Sequence, residues 1–137
     1  MPAVTWTMSV KLIEEELTHS VLGCFFEVYT VLGFGFVEKI YLGALQVELR
    51  ERGHLVQREV PVCVEYKGHV LSKHRIDMIV DQKLVIEVKS TFLLPPQSGR
   101  QLYNYLRVSN LSVGLVLHFG PEPKFYRHVC TRTHPGT

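Results

Sequence analysis

The segment RIDMIVDQKLVIEVK, residues 75–89, decides the fold because it sets charged residues within two apolar runs. Residues 78–80 and 84–86 are rich in β-branched side chains and predict two strands, and the polar residues 81–83 predict a tight hairpin loop. A hairpin centred on Gln82 places Asp77 directly opposite Glu87. Cross-strand neighbours have Cβ atoms about 5 Å apart, so two carboxylates there repel by roughly 3 kcal/mol at an effective dielectric of about 20.

A positive group is therefore expected between these carboxylates. Lys89 lies two residues after Glu87, so strand alternation places both on one face while Val88 points into the opposite layer. Arg75 shares the face of Asp77 by the same rule, and it can pair with a carboxylate or approach a phosphate. Two carboxylates and an amine thus converge in the predicted hairpin.

The composition indicates one domain with a single core, because the chain has 137 residues and 46% hydrophobic content. Charged residues and Gly33 interrupt the apolar stretches before the roughly 20 residues that a membrane span needs, and residues 1–10 do not resemble a signal peptide. We expect a soluble, cytoplasmic protein without a membrane partner. The net charge of +2 permits nucleic-acid binding without demanding it.

The cysteines and histidines do not suggest a disulfide or a zinc site. Cys24, Cys63 and Cys130 are odd in number, far apart and set among apolar neighbours, which favours buried free thiols. The seven histidines are scattered, and none lies at a metal-ligand spacing from a cysteine or carboxylate. Surface or loop positions are expected for histidines such as His54 and His74.

The hydrophobic periodicity along the chain predicts the element order ααβββαββ. Gly33 is expected to cap the first helix, and the prolines at 95 and 96 stop the third helix from beginning before about Gln97. The domain is expected to be compact from about Ser9 to Cys130, followed by a short polar tail. The predicted helices span 11–32, 37–53 and 97–108, and the predicted strands span 57–66, 69–80, 83–90, 113–119 and 124–130, the last at a sheet edge.

This element order, with Asp on the second strand and Glu-x-Lys on the third, resembles the PD-(D/E)XK nuclease superfamily. GFVEKIY at 35–41 matches the Gly-x-x-Glu-x-x-Tyr signature of the GxxExxY family, a group of small stand-alone proteins assigned to that superfamily. EYKG at 65–68, QLYNYL at 101–106 and GLVL at 114–117 are similar to further blocks of that family, in the same order. The resemblance implies an α+β fold with a restriction-endonuclease-like core, in which helices flank a mixed β-sheet.

The resemblance also implies a site for Mg²⁺ or Mn²⁺. Asp77, Glu87 and the backbone carbonyl of Val88 would supply oxygen ligands, and Glu38 would act through water. Glu38 can instead be an acidic residue that favours a helix N-terminus, an effect of at most about 1 kcal/mol, and Glu48 is its rival as the third acidic residue. By itself, the Asp and Glu-x-Lys pattern also fits a solvated hairpin.

The remaining site residues follow from the same resemblance. Lys89 would orient or deprotonate the attacking water, or stabilise developing charge, and Gln101 would position substrate or water. Tyr105 and Arg75 would contact the nucleic acid. A polar edge on an amphipathic helix is the alternative for Gln101 and Tyr105. Ser98 stands where a histidine is expected, three residues before Gln101.

Two functions are consistent with this sequence. The first is a metal-dependent nuclease, with DNA favoured over RNA as its substrate and with Asp77, Glu87, Lys89 and Gln101 as the catalytic residues. The second is a non-catalytic nucleic-acid-binding or protein-interaction module that retains the fold. In either case the small size of the chain suggests a homodimer or a larger assembly.

Overall fold

The computed structural model describes residues 13–131, and it confirms the order ααβββαββ. The expected domain start near Ser9 and the polar tail after Thr131 lie outside these residues, as does Lys11, the expected first residue of helix one. Residues 13 and 14 form a turn, so the first helix begins at Glu15. The elements are α1 Glu15–Leu32, α2 Glu38–Glu51, β1 Val56–Tyr66, β2 His69–Val80, β3 Leu84–Lys89, α3 Ser98–Ser109, β4 Val113–Phe119 and β5 Pro123–Val129.

The five strands form one mixed sheet in the order β1-β2-β3-β4-β5. All neighbours are antiparallel except β3 and β4, which run parallel. A parallel connection needs a crossover, and α3 supplies it between those two strands. The predicted edge position of β5 is confirmed, and so is the mixed α+β fold.

Hydrophobic clusters lie on both faces of the sheet. Ile86 and Val88 pack beneath α1 and α2, whereas Val85 packs with residues of α3 on the other face. This alternation confirms that Val88 points away from the face of Glu87. Among residues 13–131, no helix is long and apolar enough to cross a membrane.

Tyr41 fixes the loop between α1 and α2 against the sheet. Its ring is fully buried and stacks on Phe119 with 3.9 Å between the ring centroids. Its hydroxyl donates to the carbonyl of Gly33 and accepts the backbone N–H of Phe36. Gly33 has a φ of 67° and ends α1 as predicted, so the chain reverses there and leads into α2.

The hairpin formed by β1 and β2 extends beyond the rest of the sheet. The pairing of β2 with β3 involves only residues 78–80 of β2, so residues 61–75 form a hairpin arm that pairs mainly with itself. Cys63 lies in this arm and is exposed, which makes the prediction of its burial wrong. Cys24 and Cys130 are buried free thiols, as predicted.

His54 lies in a loop, as expected, but it also connects three elements. Its Nδ1 is 2.7 Å from Asp81 Oδ2, and its Nε2 is 2.7 Å from Ser20 Oγ on α1. Asp81 accepts the backbone N–H of Leu55 as well. Burial opposes ionisation of Asp81, but these hydrogen bonds outweigh it and lower its pKa. The turn between β2 and β3 is therefore anchored to α1 and to the loop before β1.

We predict that the three cysteines react unequally with a thiol reagent. Cys63 should react rapidly because it is exposed, whereas Cys24 and Cys130 should react only after unfolding. Burial also raises the pKa of the Cys24 thiol, which slows its reaction further. An Ellman titration should give about one equivalent for the native protein and about three in guanidinium. If native Cys63→Ser still showed one rapidly reacting thiol, the exposed position of Cys63 would be contradicted.

Candidate active site

Asp77 and Glu87 meet where the pairing of β2 with β3 ends. The last backbone pair is Met78 with Ile86, and Asp77 and Glu87 are the next residue along each strand. The backbone N–H of Asp77 donates to Glu87 Oε1 at 3.2 Å, and the N–H of Val88 donates to Asp77 Oδ2 at 2.9 Å. Carboxylate oxygens thus accept hydrogen bonds at the point where backbone carbonyls would continue the ladder.

The pairing with β1 is interrupted at the same position. Asp77 lies opposite Glu59, whose φ of 51° is left-handed. Met78 packs beneath α1 and α2, whereas Ile76 packs with α3, although strict alternation would place both on one face. The strand pair therefore rotates at Asp77, and the acidic pair occupies the interruption.

Burial gives this pair an unusual protonation state. Glu87 is 3% exposed, and its burial, followed by the neighbouring charge of Asp77, raises its pKa to about 8. Burial also raises the pKa of Asp77, while its hydrogen bond from Val88 and the charge of Lys89 oppose that shift. At neutral pH and without a cation, the pair therefore retains a proton.

The donor set fits a hard divalent cation. Mg²⁺ is usually bound by one or two carboxylates together with several waters, and two carboxylates face each other here. A cation would also offset the repulsion that raises the pKa of Glu87. Within residues 13–131, no three side chains of His, Cys, Asp or Glu converge to hold a metal. The direct side-chain ligands would then be Asp77 and Glu87.

Lys89, Gln101 and Tyr105 are connected beside this pair. Lys89 Nζ donates to Gln101 Oε1 at 3.4 Å, and Gln101 Nε2 donates to the Tyr105 hydroxyl at 3.1 Å. Burial raises the pKa of Tyr105, and the charges of Glu87 and Asp77 add to this effect. The structure thus brings together the strand residues and the α3 residues that the sequence suggested separately.

The two candidates for the third acidic residue lie in different surroundings. Glu38 is half-buried at the first turn of α2 and lines a cavity of about 570 Å³ with Arg58, Glu59 and Ser90. Glu48 lies farther along α2, near the buried Cys24, where its charge contributes to the raised pKa of that thiol.

Arg58 is a basic residue that the sequence patterns did not single out. Its charge is among the influences that lower the pKa of Asp77, and its Nη1 donates to Gln46 Oε1 at 2.8 Å. Its Nε is buried and has no hydrogen-bond partner among residues 13–131. Polar residues flank it at the start of β1, but no motif distinguishes this position.

Arg75 and Ser98, which the sequence also singled out, form no hydrogen bond with the acidic pair among residues 13–131. The side chain of Arg75 is exposed in the hairpin arm, and within residues 13–131 it pairs with no carboxylate. Ser98, at the position where a histidine was expected, is buried, and its hydroxyl donates to the carbonyl of Pro95 at 2.8 Å. Ser98 therefore holds the loop that precedes α3.

The comparison with protein families identifies the class of this fold. The model of the PD-(D/E)XK nuclease superfamily matches residues 15–129, so the chain belongs to that superfamily. Nucleases of this superfamily generally use divalent metals.

Comparison with solved structures supports the same fold. The chain is similar to the crystal structure of SSO0001, with 23% sequence identity and a TM-score of 0.53. The similarity covers 66% of this chain and 49% of that chain, so this chain spans about half of the protein it matches. No curated protein matches the chain.

We predict that Glu87→Gln removes a decline in stability with rising pH. The unfolded chain releases this proton near the usual pKa of 4.5, whereas the folded protein keeps it until about 8. Between those values the folded state binds more protons, so the wild-type free energy of unfolding should fall by at most about 1.4 kcal/mol per pH unit. The amide of the variant does not titrate, and its oxygen can still accept the Asp77 N–H.

Urea unfolding in EDTA, at several pH values across this window, measures the effect. The difference in stability between variant and wild type should grow in favour of the variant up to about pH 8 and then level off. Histidines and other titrating groups that do not contact Glu87 are common to both proteins and cancel in the difference, whereas Asp77 is coupled to Glu87 and changes with it. If the free energy of unfolding varied with pH in the same way for both proteins, Glu87 would ionise at its ordinary pKa.

Proposed function

We propose that this chain is a divalent-metal-dependent nuclease that hydrolyses phosphodiester bonds in DNA. The observation that carries the proposal is the pairing of the buried Glu87 with the half-buried Asp77, with Lys89 one alternation step farther along β3. Membership of the PD-(D/E)XK superfamily supports the reaction class. DNA as the substrate, and Mg²⁺ or Mn²⁺ as the cofactor, are part of the proposal.

We also assign the chain to the GxxExxY group within that superfamily. Gly35 has a φ of 124°, Glu38 is the first residue of α2, and Tyr41 bonds both sides of the intervening loop. The three signature positions thus have connected roles, because the glycine and tyrosine shape the loop that presents the glutamate. Their spacing in the sequence supports the assignment.

The residues around the pair would divide the work of hydrolysis. Asp77, Glu87 and the Val88 carbonyl would hold the cation, with Glu38 acting through water. A bound cation would supply positive charge at the transferring phosphate and make water more acidic. Lys89 would hold the attacking water or stabilise developing charge on the phosphate oxygens. Gln101 keeps the amine of Lys89 in position and connects it to Tyr105.

A binding module that retains the fold is the second candidate. It is favoured by the lack, within residues 13–131, of a third side chain that completes a metal cluster with Asp77 and Glu87. A homodimer or a larger assembly could supply the missing group in either case, and this chain spans about half of the solved protein it matches. Cleavage assays on labelled DNA and RNA with Mn²⁺ distinguish the two candidates.

We predict that Lys89→Met separates metal binding from turnover. The variant should bind Mn²⁺ at least as tightly as wild type because its amine coordinates nothing and repels a cation, but it should lose cleavage. Asp77→Asn and Glu87→Gln should lose both, although their amide oxygens still accept the backbone hydrogen bonds. Calorimetric titration and single-turnover cleavage provide the two readouts. Cleavage by Lys89→Met at the wild-type rate would remove this residue from the catalytic set.

We further predict that Glu38→Gln weakens Mn²⁺ binding while Glu48→Gln does not. The first variant removes a negative charge from the cavity that Arg58 and Ser90 also line, and the second removes a charge near Cys24. If Glu38 only stabilises the helix, Glu38→Gln should instead lower the free energy of unfolding by at most about 1 kcal/mol and leave the affinity for Mn²⁺ unchanged. Calorimetry and thermal melts of both variants distinguish these roles, and a loss confined to Glu48→Gln would reverse the assignment.

A further inference from the structure

A cavity of about 680 Å³ lies between α3 and the hairpin arm, next to the acidic pair. Val62, Val64 and His74 form its wall on the arm, and Lys89 lines it at the end of β3. Gln101 and Tyr105 also line it, and both belong to the hydrogen-bonded chain that begins at Lys89. The cavity is therefore continuous with the candidate active site.

The polar part of this cavity is cationic. Lys89, Arg100 and Arg107 line it together with His74, and within residues 13–131 no aspartate or glutamate lines it. Arg100 and Arg107 are exposed and lie seven residues apart on α3, which places them on one face of the helix about two turns apart. Asn104 lies between them and also lines the cavity. This edge of α3 is suited to successive anionic groups along an extended ligand.

The other part of the cavity is apolar. Val62 and Val64 face it from the arm, and Val108 faces it from α3. The rings of His74 and Tyr105 lie 5.9 Å apart and are tilted by 57°. Val64 and Val108 remain 38% and 36% exposed, so this surface is open to a ligand. The cavity thus presents cations along one side and apolar or aromatic surface along the other.

We propose that this cavity binds a single-stranded polynucleotide, with phosphates on Arg100 and Arg107 and bases against the apolar wall. Single strands are recognised by this combination of a positive groove and surfaces for unstacked bases. A duplex would contact the cations, but its bases are stacked inside it and cannot cover the valines. This proposal refines the proposed nuclease function by naming the class of its substrate. Only cleavage of the strand rests on the nuclease function, because binding in the cavity needs no metal.

Fluorescence anisotropy in EDTA tests this binding without cleavage. The probes are a labelled 12-nucleotide DNA strand, the RNA strand of the same sequence and the corresponding DNA duplex. The wild-type protein should bind at least one of the single strands more tightly than the duplex. The double variant Arg100→Ala/Arg107→Ala should bind that strand about tenfold or more weakly, because it loses two charge-assisted contacts to phosphate.

The salt dependence of binding gives a second readout. Loss of two phosphate contacts should reduce the slope of log affinity against log salt by about 1.4, or about 0.7 per contact on a single strand. Arg50→Ala is the matched control because Arg50 is also an exposed helical arginine, but it lies near the end of α2 and does not line the cavity. It should leave affinity and slope unchanged. Circular dichroism confirms that the variants fold.

A further variant tests the apolar wall. Val64→Asp places a charge on the arm opposite α3 and should weaken single-strand binding, whereas Leu71→Asp, at another exposed position of the arm that does not line the cavity, should not. Tighter duplex binding, equal losses for Arg50→Ala and the double variant, or displacement of the strand by poly-glutamate at equal charge would each overturn the proposal.

Cleavage by wild type in Mn²⁺ distinguishes this proposal from the proposed function. Single-strand binding that depends on Arg100 and Arg107, without cleavage, would leave the cavity as the binding site of a non-catalytic module. Cleavage at wild-type rate and affinity by the double variant would support the nuclease and reject this cavity as its strand-binding site. The two proposals can therefore fail independently.

Discussion

The contact between two carboxyl groups, that of the buried Glu87 and that of the half-buried Asp77, is the constraint on which the rest of the structure depends. Asp77 and Glu87 are tolerated there because each accepts a backbone N–H, from Val88 and from Asp77 respectively, and because Lys89 adds a positive charge nearby. The same arrangement raises the pKa of both acids. A group that is costly to ionise alone becomes a good ligand when a cation supplies the missing charge.

Holding these groups in register requires a rigid hairpin, and the fold provides it at the turn. Asp81 has a φ of 52°, and its carboxylate is bonded to His54 and to the N–H of Leu55. His54 in turn contacts Ser20 on α1. On the other side, β3 pairs in parallel with the buried strand β4. The β2–β3 hairpin is thus fixed at its turn and along its buried edge, while the hairpin arm of β1 and β2 forms a cavity with α3.

Local pattern was sufficient to predict the elements and the convergence of Asp77 with Glu87, because a short loop and strand alternation determine both. It failed where a single backbone angle changes the geometry. Glu59 adopts a left-handed φ, which is uncommon for a residue other than glycine, and the faces of β1 and β2 rotate there. Cys63 was predicted to be buried because its neighbours are apolar, but no third strand among residues 13–131 covers the arm. Arg58 approaches the acidic pair through tertiary contacts that no sequence spacing reveals.

The local distribution of charge is more informative about ligands than the net charge of +2. In the part of the chain that the structure describes, the lining of the cavity beside α3 combines Lys89, Arg100 and Arg107 with no carboxylate. The local field next to the acidic pair, rather than the sum over the chain, determines which ligands are attracted. An ionised Asp77 repels phosphate, so a polyanion held by α3 would approach it most favourably once a cation has neutralised the pair. Strand and cation should therefore each increase the affinity for the other. The cation neutralises the carboxylates that repel the strand, and the strand neutralises the basic side chains that repel the cation.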